Sequence, residues 1–452
     1  MTDLGRTNLH LLAVCLTTLA ACTDPAQRAV APEASFARSV AEGDFEVWLV
    51  DQSNSPGLVY GGTLYVYEGA ALMGEAAASA APTATIDLGA ATASLCLSAT
   101  SANPVRPHTL AFNSTHTHAI LSFVASGHVV IFDAVSRTPL ACLRMSPGAG
   151  GARQAHMSFP ALDDSHILVA NQNGKLLERI ESDYATNTFT LNQAATLNLA
   201  TCVTPNGVAC ELAGVRPDNA PICPIVDRSS TLGFVTLRGG GLFVVNARET
   251  PMTIRAEYDR ATVHGNGCGG IEAGGRMYVN SGGGTAANLT EFDVYRFDLA
   301  AFPAANAPNT PAPTLLLSDD GAPNRDSHGM VLSKHDRYLW VADRGANIAE
   351  VFDLESGARV NTVDLVGAAS ADPTPDLADI APTGNRIFFA LRGPAPLTGD
   401  PHVATGSTPG LGIVQVEEGG RTGFLKSVVR INNVDPGGVQ RADAHAVRVR
   451  VK

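Results

Sequence analysis

Short apolar runs alternate with polar turns along nearly the whole chain, and no helical period connects them. One stretch reads Arg106-Pro-His-Thr-Leu-Ala-Phe, a polar turn, Ala119-Ile-Leu-Ser-Phe-Val, a glycine, Val129-Val-Ile-Phe-Asp133, a turn, and Pro139-Leu-Ala-Cys-Leu. A second reads Arg325-Asp-Ser-His-Gly-Met-Val-Leu, Arg337-Tyr-Leu-Trp-Val-Ala-Asp343, Ile348-Ala-Glu-Val-Phe-Asp353, Gly357, and Val360-Asn-Thr-Val-Asp-Leu365. Each is four β-rich runs punctuated by Gly, Asp, Asn or Ser, which predicts four short antiparallel strands.

Units of this kind begin near His108, His156, Ile222, Asn266, His328 and Asp376. Four strands in about 45 residues is the size of a propeller blade. The longer intervals hold Pro/Ala/Thr/Gly loops at 198–220, 301–314 and 393–410, as insertions in a repeat array do. Residues 45–88 supply three strands without a first one: Phe45-Glu-Val-Trp-Leu-Val, Thr63-Leu-Tyr-Val-Tyr and Ala84-Thr-Ile-Asp-Leu. The C-terminal Asp443-Ala-His-Ala-Val-Arg-Val-Arg-Val451 reads as the missing first strand. The expected fold is therefore all-β, a seven-bladed propeller over 45–452 closed by strands from both termini, which leaves no open sheet edge.

Composition adds little to the fold and more to the function. At 45% apolar and 16% charged the chain is not disordered. Its net charge is −12 and only four of its cations are lysine, so no nucleic-acid partner is expected. No apolar run of membrane-spanning length follows the N-terminus.

Arg6 precedes a mostly apolar run, Leu9 to Ala21, of secretory length. It ends Leu19-Ala20-Ala21-Cys22, which resembles the bacterial lipobox. That resemblance implies removal of residues 1–21, lipidation of Cys22, a polar tether over 22–44, and an exported, membrane-anchored monomer of the cell envelope. An ordinary cleaved signal is the other reading of the same residues. Six cysteines then remain, Cys96, Cys142, Cys202, Cys210, Cys223 and Cys268, an even number that suits disulfides in an exported protein. Cys96 and Cys142 sit in similar outer-strand contexts and are the favoured pair, and Cys202 with Cys210 would close an insertion loop.

The strand pieces Ile167-Leu-Val-Ala-Asn171, Met277-Tyr-Val-Asn280 and Leu339-Trp-Val-Ala-Asp343 resemble the repeats of YVTN-type bacterial propellers, a group related in fold to the propeller domain of nitrous oxide reductase. The resemblance is to a repeat and so speaks for fold, because propellers host enzymes, binding proteins and scaffolds alike.

Candidate chemistry lies in the phase of the repeat. Eleven or twelve residues before the second strands stand His108, His156, Ile222 or Cys223, Asn266, His328 and Asp376, with His445 at the matching place in the C-terminal strand. His264 lies two residues before Asn266. First strands line a propeller's channel, so these side chains should converge there. Imidazole is the commonest transition-metal ligand, which makes His108, His156, His328, His445, Asp376 and His264 the candidate metal site, for copper first and zinc second. The nitrous oxide reductase domain, to which the repeat is related, binds copper through channel histidines. Descent of all four histidines from one ancestral structural residue explains the same pattern.

Arg106, Arg153, Arg325 and Arg441 precede the same positions and would favour an anionic ligand, or pair with Asp326 and Asp443. Three functions follow: a metal-binding propeller that is possible as an enzyme, a scaffold for an envelope protein or small anionic ligand, and a lactonase-like hydrolase, as some YVTN-type relatives are described. Gly265-Asn-Gly267-Cys-Gly-Gly270 matches a dinucleotide fingerprint in letters but lacks the strand–helix context, so no nucleotide cofactor is expected. His116-Thr-His118 falls in a turn, where an exposed pair is decoration.

Overall fold

The backbone of a computed structural model closes the ring that the repeat predicts. It describes residues 44–282, 291–302, 309–319, 325–397 and 405–452. The expected leader over 1–21, Cys22 and the expected tether up to residue 43 lie outside the described residues. Among those described, seven antiparallel sheets follow one another, each of four strands in simple up-and-down order, one of them with a fifth short strand. The innermost strands are Ala444–Val451 in blade 1, then Pro107–Phe112, Ala155–Pro160, Pro221–Val226, Gly270–Ala273, Ser327–Leu332 and Pro375–Ile380 in blades 2 to 7.

Blade 1 joins the chain ends. Ala444–Val451 pairs antiparallel with Phe45–Asp51, from Phe45 opposite Val451 to Asp51 opposite Ala444, and the N-terminal segment supplies the outer strands Thr63–Glu68 and Ala84–Asp87. Middle strands such as His166–Asn171, Leu232–Leu237 and Arg386–Leu391 are buried along their whole length, because a neighbouring blade covers each face. That is why these runs read as continuously apolar rather than alternating. Large side chains fill the wedges between blades: Trp48 meets Phe112 edge-on at 5.3 Å, and the Trp340 indole donates to the Gly420 carbonyl at 2.7 Å.

Disulfides join Cys96 to Cys142 and Cys202 to Cys210, across 46 and 8 residues. By loop-closure entropy these contribute roughly 4 and roughly 2.5 kcal/mol. Cys142 does lie on an outer strand, but Cys96 lies on an α-helix, Leu88–Thr100, that the strand pattern did not foresee. His116 also departs from expectation. Its Nδ1 accepts from the Val451 amide at 2.9 Å and its carbonyl accepts from Arg450, so it fastens the closing strand.

Two buried imidazoles outside the channel give the fold a defined acid response. Burial, with Arg144 and Arg153, pushes His128 down to about 4; burial, with Arg179, does the same for His166. In an unfolded chain both titrate near the ordinary 6.5. A histidine depressed in the folded state contributes stability that is present above 6.5 and is lost as pH falls from 6.5 towards 4. The expected loss is about 3 kcal/mol per group over that interval. Urea midpoints at pH 7 and pH 4.5 check this: His128→Asn should show a visibly smaller drop than the parent chain.

Candidate metal centre

The innermost strands share a local distortion. In blades 2, 3, 4, 6 and 7 the pairing with the second strand slips by one residue, between Pro107 and Leu110, Ala155 and Met157, Pro221 and Pro224, Ser327 and Met330, and Pro375 and Ala378. Blade 1 slips where Ala446 and Ala444 flank His445. A bulge of this kind frees one residue from the ladder and re-aims its side chain. The residues in the six bulges include His108, His156, Cys223, His328, Asp376 and His445. Blade 5 reaches the same place by other means, with Cys268 two residues ahead of its first strand.

Seven potential donors, one from each blade, thus form a connected hub. His108 stacks on His445 with ring centroids 3.6 Å apart and places its Nε2 3.2 Å from the Nε2 of His156. The donor atoms of His156, Cys223 and Cys268 all lie within 4.8 Å of one another, and so do those of His328, Asp376 and His445. The two sulfurs are 2.7 Å apart. His328 Nδ1 faces Asp376 Oδ1 at 2.5 Å, and His445 Nε2 lies 3.7 Å from the same oxygen. All but His156, which is half-buried, are buried.

Hydrogen bonds set the imidazole tautomers. Gln52 donates its amide to Asp443 Oδ2 at 2.8 Å, which leaves Gln52 Oε1 to accept from His108 Nδ1 at 2.9 Å. His156 Nδ1 donates to the Ile222 carbonyl at 2.9 Å, and His445 Nδ1 to the His108 carbonyl at 2.8 Å. Each of these rings therefore presents an unprotonated Nε2, the arrangement by which metal-ligating histidines are oriented. Two metal–nitrogen bonds of about 2.0 Å at a near-tetrahedral angle hold their nitrogens about 3.3 Å apart, close to the His108–His156 separation. The His328–Asp376 contact lies off the hydrogen-bonding direction, and among the described residues neither atom has a hydrogen-bond partner. The two groups form a buried imidazole–carboxylate ion pair.

Charge is distributed unevenly round the ring. Burial holds His108 and His445 well below the ordinary imidazole range, so both are neutral at pH 7. Burial and Arg344 also oppose a charge on His328, but Asp376 and Cys268 outweigh them and carry it up to about 9. Cys268 is held well below the usual thiol range, first by its hydrogen bond with Cys223 and then, against burial, by His328 and His156. Cys223 is pushed well above it by burial and by the neighbouring sulfur. Burial opposes the Asp376 charge, but His328, His445, Arg344 and Arg392 keep it ionised.

A buried ionic frame supports the ring. Arg392 grips Asp443 through two bonds of 2.7 and 2.9 Å and reaches Asp376 Oδ2 at 2.9 Å. Through Gln52 this frame connects His108 to Asp376. Arg344 pairs with Asp326 at 2.8 Å. Thus Asp326 and Asp443 are matched with arginines other than the four that precede the ring positions.

The remaining sequence candidates lie elsewhere. His264 pairs with Asp293 at 2.8 Å and is a third exposed. Asn266 occupies a left-handed turn at φ 64°. Arg325 is enclosed by Asp343, Asp319 and Glu350. Arg441 pairs with Asp435 at 2.8 Å, Arg153 donates to the Met145 carbonyl, and Arg106 to that of Leu397.

Counting back from the second strand passed over Cys268, and the glycines beside it are the signal that finds it. A Cβ on Gly267 would stand 1.8 Å from the Asn280 carbonyl oxygen, and one on Gly269 2.2 Å from that of His328. Only glycine lets the chain approach its own second strand and the neighbouring blade this closely. Asn280 then fixes the loop, accepting from the Gly269 amide at 2.8 Å and donating to the His328 carbonyl at 2.6 Å. The glycine run that imitates a phosphate loop is thus the mount of a hub cysteine.

The chain matches no protein-family profile and no curated protein. Solved structures share its architecture. A Lactobacillus plantarum protein superposes with a TM-score of 0.57 at 12% identity, covering 90% of this chain and 99% of its own. A periplasmic gluconolactonase of Pseudomonas aeruginosa does so at 0.56 and 12%, with the same coverage. At that identity the likeness is one of fold.

Proposed function

We propose that this propeller is an exported protein that holds a transition-metal ion at its hub, copper first and zinc second. The observation that carries the reading is the convergence of four imidazoles, two cysteine sulfurs and a carboxylate, one from each blade, with three ring tautomers fixed to direct Nε2 inward. Thiolates favour cuprous copper and zinc, and imidazole suits copper and zinc alike. His156, Cys223 and Cys268 would provide the thiolate-rich side, and His328, Asp376 and His445 the other. Lipid anchoring through Cys22 belongs to the same proposal.

Metal analysis of the protein purified without an affinity tag tests this. The expected result is copper or zinc at near one equivalent per chain, retained through dialysis and released by acid. Protein that carries neither metal, and takes up neither when supplied, overturns the proposal.

One observation supports a second reading, a hydrolase similar to lactonases. His328 acts on Cys268 and lies 2.5 Å from Asp376, so the three would serve as nucleophile, base and carboxylate. Lactone turnover by metal-free protein, abolished in Cys268→Ser, would favour it over metal binding.

A further inference from the structure

The hub sulfurs differ from the other described cysteines. Those four are joined as disulfides, whereas Cys223 and Cys268 stand as thiols although their sulfurs touch at 2.7 Å. They come from different blades, 45 residues apart, and both are buried. The donor nitrogen of His156 lies within 4.8 Å of both sulfurs. Two thiols in contact are the reactant pair for sulfur–sulfur bond formation, and the one component they lack is an electron acceptor.

Burial selects that acceptor. Exchange with another disulfide needs a third sulfur brought to the attacking thiolate, and at 0% and 4% exposure Cys223 and Cys268 offer no such approach. A single ion needs only a path of its own width. Imidazole nitrogens accept cupric copper and thiolates prefer cuprous, so an ion that enters at His156 meets sulfurs that favour its reduced state.

We infer that Cys223 and Cys268 form a reducing dithiol for cupric ions delivered to the hub. The inference rests on the transition-metal reading and adds an activity to it. Each sulfur gives one electron to one Cu(II). Two Cu(II) become two Cu(I), one bond forms between the sulfurs, and the S–H bonds of Cys223 and Cys268 break. Both protons are released to solvent. The four imidazoles and Asp376 remain to hold cuprous copper, and the reaction runs once per chain.

The test uses the full chain, stripped of metal, reduced and kept free of oxygen. It is titrated with Cu(II) in the presence of a chromogenic Cu(I) chelator, beside a Cys223→Ser/Cys268→Ser variant. The expected yield is about two cuprous ions per chain above the variant, since the dithiol is a two-electron couple. Peptide mapping of the product should show Cys223 linked to Cys268, a readout that needs no variant. Equal cuprous yields from both proteins, or reduction without that linkage, overturn the inference. Zinc, which has no redox chemistry, is measured in parallel by dye competition. Zinc bound without cuprous copper overturns the dithiol activity and leaves the metal reading intact. Failure to bind zinc or copper overturns the reading itself.

Discussion

A His156→Ala/His328→Ala double variant is expected to bind zinc at least about 100-fold more weakly than the parent chain while remaining folded. The magnitude follows from the place of the two rings. Loss of a group that merely orients a ligand costs 10- to 100-fold in affinity, and these rings are themselves candidate ligands. They also belong to opposite halves of the hub, one with the two sulfurs and the other with Asp376 and His445. Folding should survive because both side chains end in the channel, outside the apolar wedges between blades. His264→Ala is the contrast: it breaks a partly exposed pair with Asp293 and should change zinc affinity by less than about twofold. Dye competition for zinc, with circular dichroism to confirm folding, measures both. Equal affinities in parent and double variant would remove the hub from consideration.

The ring was legible because its cause is periodic. Strand length and turn chemistry repeat in every blade, and the unpaired strands at the two chain ends could be matched only with each other. The helix Leu88–Thr100 was not legible, because its buried face is made of Leu88, Thr92 and Cys96, small or polar after the first residue, so no apolar stripe marks it. Its one signal was Asp87, whose carboxylate caps the amides of Gly89 and Ala90. Phase in the repeat located His108, His156, His328, Asp376 and His445 at the hub, since equivalent bulges present equivalent positions. It failed at Cys268, where blade 5 replaces the bulge with a glycine-rich approach. It also failed for the arginines, which share the same phase. Whether a guanidinium is available depends on which carboxylates fold against it, and Asp343 and Glu350 come from later strands than Arg325.

Deleting residues 443–452 is expected to abolish cooperative folding, whereas His445→Ala should leave it intact. Without the C-terminal strand, Phe45–Asp51 loses one of its two partners along its full length and becomes an exposed apolar edge, Val47, Leu49 and Val50 included. Interactions beyond the ladder disappear with it: the Val451 amide on His116, the Val449 amide on Asp379, and the Arg450 guanidinium on Glu46. Loss of Asp443 alone leaves Arg392 buried with only part of its countercharge, and breaking such a pair costs roughly 3–5 kcal/mol. Against a typical net stability of about 5–15 kcal/mol, that term together with the lost strand exhausts what holds the ring. The contrast with His445→Ala separates the strand from the donor it carries. That substitution removes one imidazole from the hub and keeps every backbone bond of blade 1. Calorimetry and size-exclusion chromatography check the pair of proteins. A truncated chain that melts in one transition near the parent's temperature would show that closure does not lock the propeller. If the truncated chain collapses while His445→Ala stays folded with weakened metal binding, the seam that closes the fold also completes the hub.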